Sequence, residues 1–319
     1  MATAKRSEIL FLYDITWGNP NGDPNDANKP RIDEETGLNI VTDVRLKRTI
    51  RDELIAKGYE VLVRDTITED GFLADAKHRG IDFLPESAKV KAGKKSEKEK
   101  LTQEELEEFK KNVKSCADIR MFGCVLPSDF KNASLQYTGP VQFKMGTSLH
   151  PVKLEFMKGT GAFAGADEKN QKTFRQEYLL PYSLIRFYGL VNDRAAAITG
   201  LTEEDVSLML NAMWDGTKNL ITRTKAGQVP RVLIQVSYKT KDFYIGSLDK
   251  AIEFSYDVSG EAVRTISDGE LKLTGLKDSL VLNKGHLDKV VIRIDPEVRA
   301  DINIIEELEK AGVAVEVTA

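Results

Sequence analysis

The feature that most constrains this chain is residues 16–51, where a long polar loop runs directly into a basic helix. From Asn19 to Asn28 the sequence reads NPNGDPNDAN, which consists almost entirely of turn-forming residues. Loops of this length inside a folded domain are usually functional or disordered. We therefore expect residues 16–41 to form an irregular loop with a functional role rather than a connector.

The helix after this loop has one apolar face and several cations. Thr42 is a suitable cap for a helix that begins at Asp43. Leu46, Ile50 and Leu54 recur every four residues, which predicts a buried face. The other faces carry Arg45, Lys47, Arg48 and Arg51. Two interpretations are open here: a charged helix that faces solvent, or a surface that binds phosphates, which helix N-termini and arginines both favour.

The order of predicted elements indicates an α+β fold with two β–α–β units. Strands are predicted at 8–15, 59–65, 178–192 and 231–238, and helices at 43–57 and after Thr202. This order is typical of a ferredoxin-like or RNA-recognition-motif-like sheet. After residue 240 we expect a strand at 289–294, a helix at 297–311 and a strand at 313–317, with their place in the fold left open.

Three further segments interrupt or extend these units. Residues 66–115 are rich in charge, and within them we predict an exposed helix at 103–115 and a mobile linker at 86–101. Residues 135–157 are interpreted as a strand pair. Residues 158–177 are poor in core side chains and predict a projecting hairpin or loop.

Charge and rare residues restrict the chemistry. The formal net charge of −4 argues against indiscriminate nucleic-acid binding but permits a local basic groove. Cys116 and Cys124 are too few for a disulfide framework and lack zinc spacing, so we interpret them as small buried hydrophobes. An EF-hand count from Asp23 fails at Ala27 and Asn28, and no catalytic motif is present. We expect no metal, no cofactor and no enzymatic activity.

The N-terminal apolar run is too short for a secretory signal, and no apolar run is long enough to span a membrane. The histidines lie far apart and are expected to be structural or exposed. These features predict a cytoplasmic protein without membrane contact.

Several stretches resemble a known family. They read NPNGDP from Asn19, NKPRID from Asn28 and VTDVRLKRTIRD from Val41, followed more loosely by DIRMFG from Asp118 and GPVQF from Gly139. This pattern resembles the RNA-binding backbone subunits of the type I CRISPR effector Cascade. Those subunits form the Cas seven superfamily, and the similarity is to its Csd/Csh-two-like branch, type I-B or I-C-like. Toward the C-terminus the similarity is less distinctive.

The resemblance implies an α+β fold with three parts. The palm would be a modified RRM/ferredoxin-like βαββαβ unit in residues 1–65 and 116–319. A helical fingers insertion would occupy residues 66–115, and a β-hairpin thumb would lie at about 150–178.

The candidate RNA-binding residues combine cations, amides and one ring. Asparagines of the loop can bond sugars or bases, and the helix cations can neutralise phosphates. Arg120 and Phe122 join a charge to a ring that can stack on a base, although core packing of Phe122 is the alternative. The predicted set is Asn19, Asn21, Asn28, Arg31, Thr42, Arg45, Lys47, Arg48, Arg51, Arg120, Phe122, Gln142 and Lys144.

The function implied is that of a non-catalytic backbone subunit. Copies would polymerise head to tail along CRISPR RNA, alongside other Cascade subunits, and present the guide for pairing with target DNA. The alternative is a metal-dependent ribonuclease of the type III backbone kind, in which Asp23, Asp26 or Asp33 of the loop would serve as the catalytic residue.

Overall fold

A computed structural model describes residues 2–68, 70–92, 100–164 and 172–318. The strands are β1 (Ser7–Gly18), β2 (Gly22–Asp23), β3 (Lys29–Ile32), β4 (Leu38–Val41), β5 (Gly123–Leu126), β6 (Leu135–Thr138), β7 (Val141–Phe143), β8 (Gly146–Pro151), β9 (Glu155–Ala164), β10 (Lys172–Val191), β11 (Val229–Tyr238), β12 (Glu253–Tyr256), β13 (Gly269–Lys272), β14 (Leu287–Ile294) and β15 (Val315–Val317). The helices are α1 (Asp43–Ala56), α2 (Ala76–Ile81), α3 (Glu86–Ala92), α4 (Gln103–Ser115), α5 (Ala117–Phe122), α6 (Asp193–Thr199), α7 (Glu203–Asn219), α8 (Thr274–Leu282) and α9 (Ile304–Lys310).

The chain divides into two units, which are described separately below. Unit 1 consists of Met1–Arg6, Arg48–Gln142 and Leu190–Met213. Unit 2 consists of Ser7–Lys47, Phe143–Gly189 and Trp214–Ala319. The division falls inside α1, β7, β10 and α7, so each of these elements contributes residues to both units.

A large mixed sheet forms the centre of unit 2. Its described strands follow the order β15-β14-β11-β1-β10-β8-β4-β3-β2, and β7 and β9 also pair with β10. Strand β11 is antiparallel to both β1 and β14, whereas β15 is parallel to β14. Strands β1 and β11 are buried over most of their length because both are long apolar runs. The predicted strands at 8–15, 178–192 and 231–238 are confirmed.

The C-terminal residues extend this sheet, which settles the placement that the sequence left open. Strand β14 pairs with β11 from Val232↔Ile294 to Tyr238↔Leu287. The helix predicted over 297–311 is confirmed only as α9. Residues before α9 are not helical because their backbone bonds β13 instead: the Leu271 N–H donates to Arg299 O at 2.9 Å.

The loop predicted over 16–41 is not irregular throughout. Strand β1 continues to Gly18, and the loop then contains β2, β3 and β4. Strand β4 pairs with β8, with Val41 opposite Gly146, and β3 adds to β4 with Arg31 opposite Ile40. The prediction failed because short strands of this kind are stabilised by pairing with a distant segment rather than by their own sequence pattern.

The strand predicted at 59–65 is also wrong. In unit 1 this segment pairs with no strand among the residues that the structure describes, and side chains bond its backbone instead. The Asp118 carboxylate accepts the N–H groups of Leu62 at 2.8 Å and Val63 at 3.1 Å. The Arg79 guanidinium donates to the carbonyl of Leu62 at 3.1 Å and to that of Val61 at 3.0 Å. Alternating apolar residues predict an extended chain but not which groups will bond it.

The helices of unit 1 enclose a small hydrophobic core of their own. Helix α4 confirms the prediction for 103–115, and a capping box between Thr102 and Glu105 fixes its first turn. It is not simply exposed, because Phe109 and Val113 are buried in that core. Helix α3 replaces the first part of the linker predicted over 86–101. Residues 93–99 of that linker lie outside the described residues.

Strands β9 and β10 form an antiparallel ribbon in the segment for which a hairpin was predicted. Their pairing runs from Leu179↔Glu155 to Lys172↔Ala164. Residues 165–171, which join the two strands, lie outside the described residues. Within the described ranges, no helix has both the length and the apolar character that a membrane span requires.

Candidate nucleic-acid interface

Hydrogen bonds within unit 2 close the polar loop of residues 19–28 on itself. The Asn19 Nδ2 donates to Asn28 O at 2.7 Å, and the Asn28 N–H donates to Asp23 O at 2.9 Å. Asn28 has a φ of +56°, a conformation that asparagine tolerates better than most residues. A Cβ at Gly22 would lie 2.7 Å from the backbone oxygen of Asn28, so the turn requires glycine there. Asn19 is therefore a buried structural residue, whereas Asn28 is exposed.

Asn21 attaches this loop to the first turn of α1. Its Oδ1 accepts the backbone N–H of Thr42 at 2.9 Å. The Thr42 Oγ1 accepts the backbone N–H of Arg45 at 3.3 Å, so Thr42 caps the helix as its sequence position suggests. These bonds place Asn21 and Thr42 in structural roles and fix the position of Arg45 relative to the loop.

Arg31 braces the same loop from β3. Its Nη1 donates to the carbonyl oxygens of Asn21 at 3.3 Å and Gly22 at 2.8 Å. Its Nε lies 3.5 Å from Asp23 Oδ2. The guanidinium thus stabilises the turn from inside while its side chain remains partly exposed.

Two further cations of α1 are paired along the helix surface. Lys47 Nζ lies 2.9 Å from Asp43 Oδ2, and its side chain is only 14% exposed. Arg48, in unit 1, donates to Asp52 at 2.7 Å, and its side chain is 48% exposed. Both pairs have the i, i+4 spacing, and the half-exposed pair of Arg48 contributes little stability.

Arg51 has a different environment within unit 1. Its Nε donates at 3.0 Å to the fully buried carboxylate of Asp118, the group that also holds Leu62 and Val63. Its guanidinium lies over the Phe122 ring at 5.2 Å. Phe122 itself is buried, so Arg51 and Phe122 stabilise unit 1 rather than presenting an open surface.

Arg120 is equally engaged. It forms a two-pronged ion pair with Asp205, at 2.8 Å through Nε and 2.6 Å through Nη2. Its Nη1 donates to the carbonyl oxygens of Lys114 and Ser115. The hydrogen bond to Asp205 raises the pKa of the Arg120 guanidinium further. This geometry ties α5 to the start of α7, since Asp205 also caps that helix through Thr202.

Gln142 and Lys144 remain accessible beside β7. The Gln142 Nε2 donates to Gly139 O at 2.9 Å, and the residue is exposed. In unit 2, Lys144 lies over the Tyr188 ring at 4.5 Å and 3.4 Å from Asp249, with 55% of its side chain exposed. Contacts of an exposed ammonium at these distances are weak, so the Lys144 ammonium is available to solvent.

Sequence reasoning missed Trp17 as a candidate. Its side chain is 50% exposed, and its φ of +48° is unusual for a bulky residue. The turn is held because the Asn19 N–H donates to Thr224 O at 2.7 Å. The sequence around Thr224, although it contains Arg223 and Lys225, gives no sign of a link to this turn. The tryptophan beside the turn formers was the available signal.

The acidic residues of the loop are engaged internally. Asp23 Oδ1 accepts the N–H of Asn25 at 2.9 Å, Asp26 pairs with Lys29 at 2.7 Å, and Asp33 accepts the Thr36 hydroxyl at 2.7 Å. In the part of the chain that the structure describes, no group of three or more His, Cys, Asp or Glu residues is arranged to hold a metal ion. Burial raises the pKa of Cys116 to about 12 and that of Cys124 to about 11, so neither thiol is activated.

Comparison with known proteins decides the family. The sequence model of the family described as CRISPR-associated protein Cas7 matches residues 5–274. A protein of Haloferax volcanii described as CRISPR-associated protein Cas7 is 31% identical over 95% of this chain and 90% of its own length. The chain belongs to the Cas7 family. The family resemblance stated from the loop–helix segment is confirmed, while its assignment to type I-B or I-C stays a prediction.

Solved structures support the same fold for this Cas7 chain. A chain of a CRISPR RNA-guided surveillance complex in a pre-nicking state matches with a TM-score of 0.56 at 14% identity, covering 96% of this chain and 99% of that one. A chain of another CRISPR RNA-guided surveillance complex matches with a TM-score of 0.51 at 12% identity, covering 96% and 98%. Both likenesses concern the mixed α+β fold.

The candidate residues of this Cas7 chain thus fall into three groups. Structural residues hold the loop or the core: Asn19, Asn21, Arg31, Thr42, Arg51, Arg120 and Phe122. Lys47 and Arg48 form ion pairs along α1. Accessible or partly accessible residues form the third group: Asn28, Arg45, Gln142 and Lys144. Within unit 2 the structure brings Asn19, Asn21, Asn28, Arg31, Thr42 and Arg45 together around one turn.

Proposed function

We propose that this chain is a guide-RNA-binding backbone subunit of a type I Cascade effector, without catalytic activity of its own. Membership of the Cas7 family supplies the class of protein. The observation that carries RNA binding is the braced loop of residues 19–28, which positions Arg45 at the start of α1. Contacts to phosphates alone read no sequence, so a subunit of this kind can carry any guide.

The proposed assembly is a cytoplasmic filament in which copies of the chain line up head to tail along CRISPR RNA. A repeated contact between different faces of one chain generates an open helix rather than a closed ring. The guide would then pair with target DNA, and other Cascade subunits would complete the complex.

Purification tests this proposal directly. Protein expressed with a CRISPR RNA should carry nucleic acid, seen as a raised ratio of absorbance at 260 nm to that at 280 nm. It should form multimers whose mass, measured by light scattering, falls after RNase treatment. A monomer that carries no nucleic acid and is indifferent to RNase would overturn the proposal.

The division into palm, fingers and thumb is part of the proposal. The neighbouring order β11-β1-β10, with α1 after β1 and α6 and α7 between β10 and β11, supports a modified RRM-like palm. The helices between 66 and 115 support a fingers segment, and the β9–β10 ribbon supports a thumb at about 150–178.

The thumb can be tested by shortening the ribbon. Replacement of residues 158–177 by a Gly-Ser turn should leave phosphate binding largely intact but remove any regular unstacking of guide bases, which costs a few kcal/mol per step. Chemical probing of bound guide RNA should show periodic reactive bases with the intact protein and a uniform pattern with the shortened one. The same periodicity with both proteins would place the thumb elsewhere.

The absence of catalysis is supported by the internal hydrogen bonds and ion pairs of Asp23, Asp26 and Asp33. Incubation of the protein with labelled target RNA and Mg²⁺ should leave the RNA intact. Cleavage that disappears in Asp26→Asn would favour the ribonuclease alternative instead.

A further inference from the structure

A short hairpin of unit 1, residues 66–74, exposes three large apolar residues. The Thr68 N–H donates to Phe72 O at 2.8 Å, and Ile67 lies opposite Leu73 in an antiparallel bridge. Ile67, Phe72 and Leu73 are 75%, 73% and 73% exposed. A group of large apolar side chains left in solvent is typical of a surface that binds a partner.

The apolar side chains lie on both faces of this hairpin. Ile67 and Leu73 are directly opposite each other, so their side chains share one face. Phe72 precedes Leu73, and successive side chains of an extended chain point to opposite faces. A hairpin that rests on its own domain buries one face, whereas this hairpin leaves both in solvent. Its shape is therefore suited to insertion into a cleft rather than to a flat contact.

The hairpin also carries negative charge. Its sequence contains two acidic residues and no lysine or arginine. Asp70 is exposed beside the apolar residues, and its carboxylate has no ion pair or hydrogen bond among the described residues. Phosphates would be repelled by this charge, so the hairpin favours a protein surface that is basic and partly apolar.

A pocket elsewhere in unit 1 has the opposite charge. Its volume is about 520 Å³, and its lining includes four cations and one carboxylate, which are Lys110, Lys111, Lys114, Arg120 and Glu107. Lys110 pairs with Glu107 at 2.8 Å. Lys111 is exposed and has no ion pair among the described residues. The pocket therefore presents positive charge that its own carboxylate does not balance.

Apolar surface accompanies these cations. Lys114 Nζ donates to Ile198 O at 2.7 Å, which places Ile198 beside the pocket, and Ile198 is 62% exposed. The aliphatic part of a lysine side chain also provides apolar contact area while its ammonium stays in water. The pocket thus offers both the charge and the apolar area that the hairpin lacks a partner for.

We infer that the hairpin of one copy of this chain docks into the basic pocket of the next copy. Both surfaces belong to unit 1, and the exposure of the hairpin shows that it does not fill the pocket of its own chain. The apolar residues of the hairpin would cover Ile198 and the lysine stems, and Asp70 would meet Lys111. Because the contact joins two different surfaces, it extends from copy to copy instead of closing a symmetric dimer. The inference rests on the proposed function, and it adds the surfaces that join neighbouring copies.

Binding to RNAs of two lengths separates a contact between copies from a contact with RNA. Anisotropy with the unaltered protein first identifies a short labelled RNA that holds one copy and a long one that holds several. Phe72→Ala and Lys111→Glu should each weaken binding to the long RNA roughly tenfold, because neighbouring copies no longer support each other. Both variants should bind the short RNA as the unaltered protein does. Equal losses on both RNAs would show that these residues contact RNA itself and would overturn the inference.

Matched controls are available in the same unit. Val90 and Lys131 are exposed and lie outside both the hairpin and the pocket lining, so Val90→Ala and Lys131→Glu should match the unaltered protein on both RNAs. The melting temperature of RNA-free Phe72→Ala should be unchanged, because the ring packs against little of its own chain. A lower melting temperature would show that the hairpin belongs to the core of its own copy and would overturn the inference. Lys111→Gln, which adds no negative charge beside Glu107, replaces Lys111→Glu if the latter does not fold.

Reversal of both charges tests the pairing of Asp70 with Lys111. Asp70→Lys alone should weaken binding to the long RNA and lower the mass of the RNA-bound multimers, measured by light scattering. Asp70→Lys combined with Lys111→Glu restores a pair of opposite charges and should recover most of the lost affinity. A combined variant that binds the long RNA as weakly as either single variant would overturn the docking of the hairpin into the pocket.

The unaltered protein separates the two possible failures. If it binds no RNA, the proposed function fails together with this inference. If it binds RNA and forms multimers, but Phe72→Ala and Lys111→Glu behave as Val90→Ala and Lys131→Glu do, only this inference fails.

Discussion

The cations around α5 in unit 1 and those around the turn at residues 17–28 in unit 2 have opposite surroundings. Arg51 and Arg120 each meet a buried carboxylate, Asp118 or Asp205. Burial and then the positive charge of Arg45 lower the pKa of the Lys225 ammonium, and Lys225 meets no carboxylate among the described residues. A basic residue is thus structural or available according to what the tertiary fold places opposite it, and not according to its own sequence context.

The energetic consequence follows from burial. Removing one partner of a buried ion pair leaves an uncompensated charge, which costs far more than the pair itself contributes. Removing a cation that meets no buried carboxylate leaves no such charge behind, so it costs less. Stability measurements and RNA-binding measurements should therefore separate the two groups of residues.

The largest effect is expected for Arg51→Ala. It leaves the Asp118 carboxylate buried without its cation, so the free energy of unfolding should fall by about 3–5 kcal/mol. Arg48→Ala, on the same helix, is the control and should cost about 0–1 kcal/mol because its pair with Asp52 is exposed. Urea unfolding followed by circular dichroism measures both. Equal losses in the two variants would remove the distinction drawn between buried and exposed cations.

Local signals made part of this fold predictable. Thr102 with Glu105, Thr202 with Asp205, and the spacing of Leu46, Ile50 and Leu54 each fix a helix through contacts within a few residues. Such contacts join residues only a few positions apart, so the bounds of these helices could be predicted almost to the residue. The long apolar strands β1, β10 and β11 were equally clear, since burial needs a continuous apolar run.

Contacts between distant residues were not predictable in this way. The segment 59–65 alternates like a strand, but Asp118 and Arg79 bond its backbone from more than fifteen residues away. Likewise, Arg45 and Arg51 look equivalent in the sequence of α1. Only the fold places the Asp118 carboxylate opposite Arg51. The candidate site was therefore predictable as a segment but not as a set of available side chains.

An intermediate effect is expected for Trp17→Ala. If the exposed indole stacks on a guide base, its removal should weaken RNA binding by about 1–3 kcal/mol without changing the salt dependence, because no phosphate contact is lost. Tyr244→Ala removes another exposed aromatic of unit 2 and is the matched control. Anisotropy titrations at several salt concentrations measure both. A changed salt slope, or equal losses in the two variants, would contradict a stacking role for Trp17.

The pH dependence of stability tests the burial of His150, a residue of unit 2 that is not among the cations compared above. Burial lowers the pKa of His150, whose Nδ1 lies 2.8 Å from Pro151 O and whose Nε2 accepts the Leu184 N–H at 3.3 Å. The neutral ring with its proton on Nδ1 satisfies both contacts. In the unfolded chain the histidine takes up a proton at its ordinary pKa of about 6.5. The stability that the buried neutral ring contributes is therefore complete above about pH 6.5, and it is lost as the pH falls toward the lower folded pKa.

Because of His150, the free energy of unfolding should change with pH by at most about 1.4 kcal/mol per pH unit. Chemical denaturation between pH 7.5 and 5 should show it, and His150→Asn should lower stability at pH 7.5 but remove this part of the pH dependence. A slope that persists unchanged in His150→Asn would assign the acid sensitivity to other groups.

The smallest effect is expected for Lys144→Ala, because Lys144 is intermediate between the two groups of cations that are compared above. Lys144 has a carboxylate partner, as Arg51 does, but Asp249 lies 3.4 Å away and the lysine side chain is mostly exposed. Its loss should change the free energy of unfolding by less than about 1 kcal/mol. If the ammonium leaves Asp249 for a guide phosphate, the salt slope of RNA binding should fall by about 0.7. A large loss of stability with an unchanged slope would place Lys144 with Arg51 and Arg120 instead, and would show that the mostly buried carboxylate of Asp249 makes even an exposed cation structural.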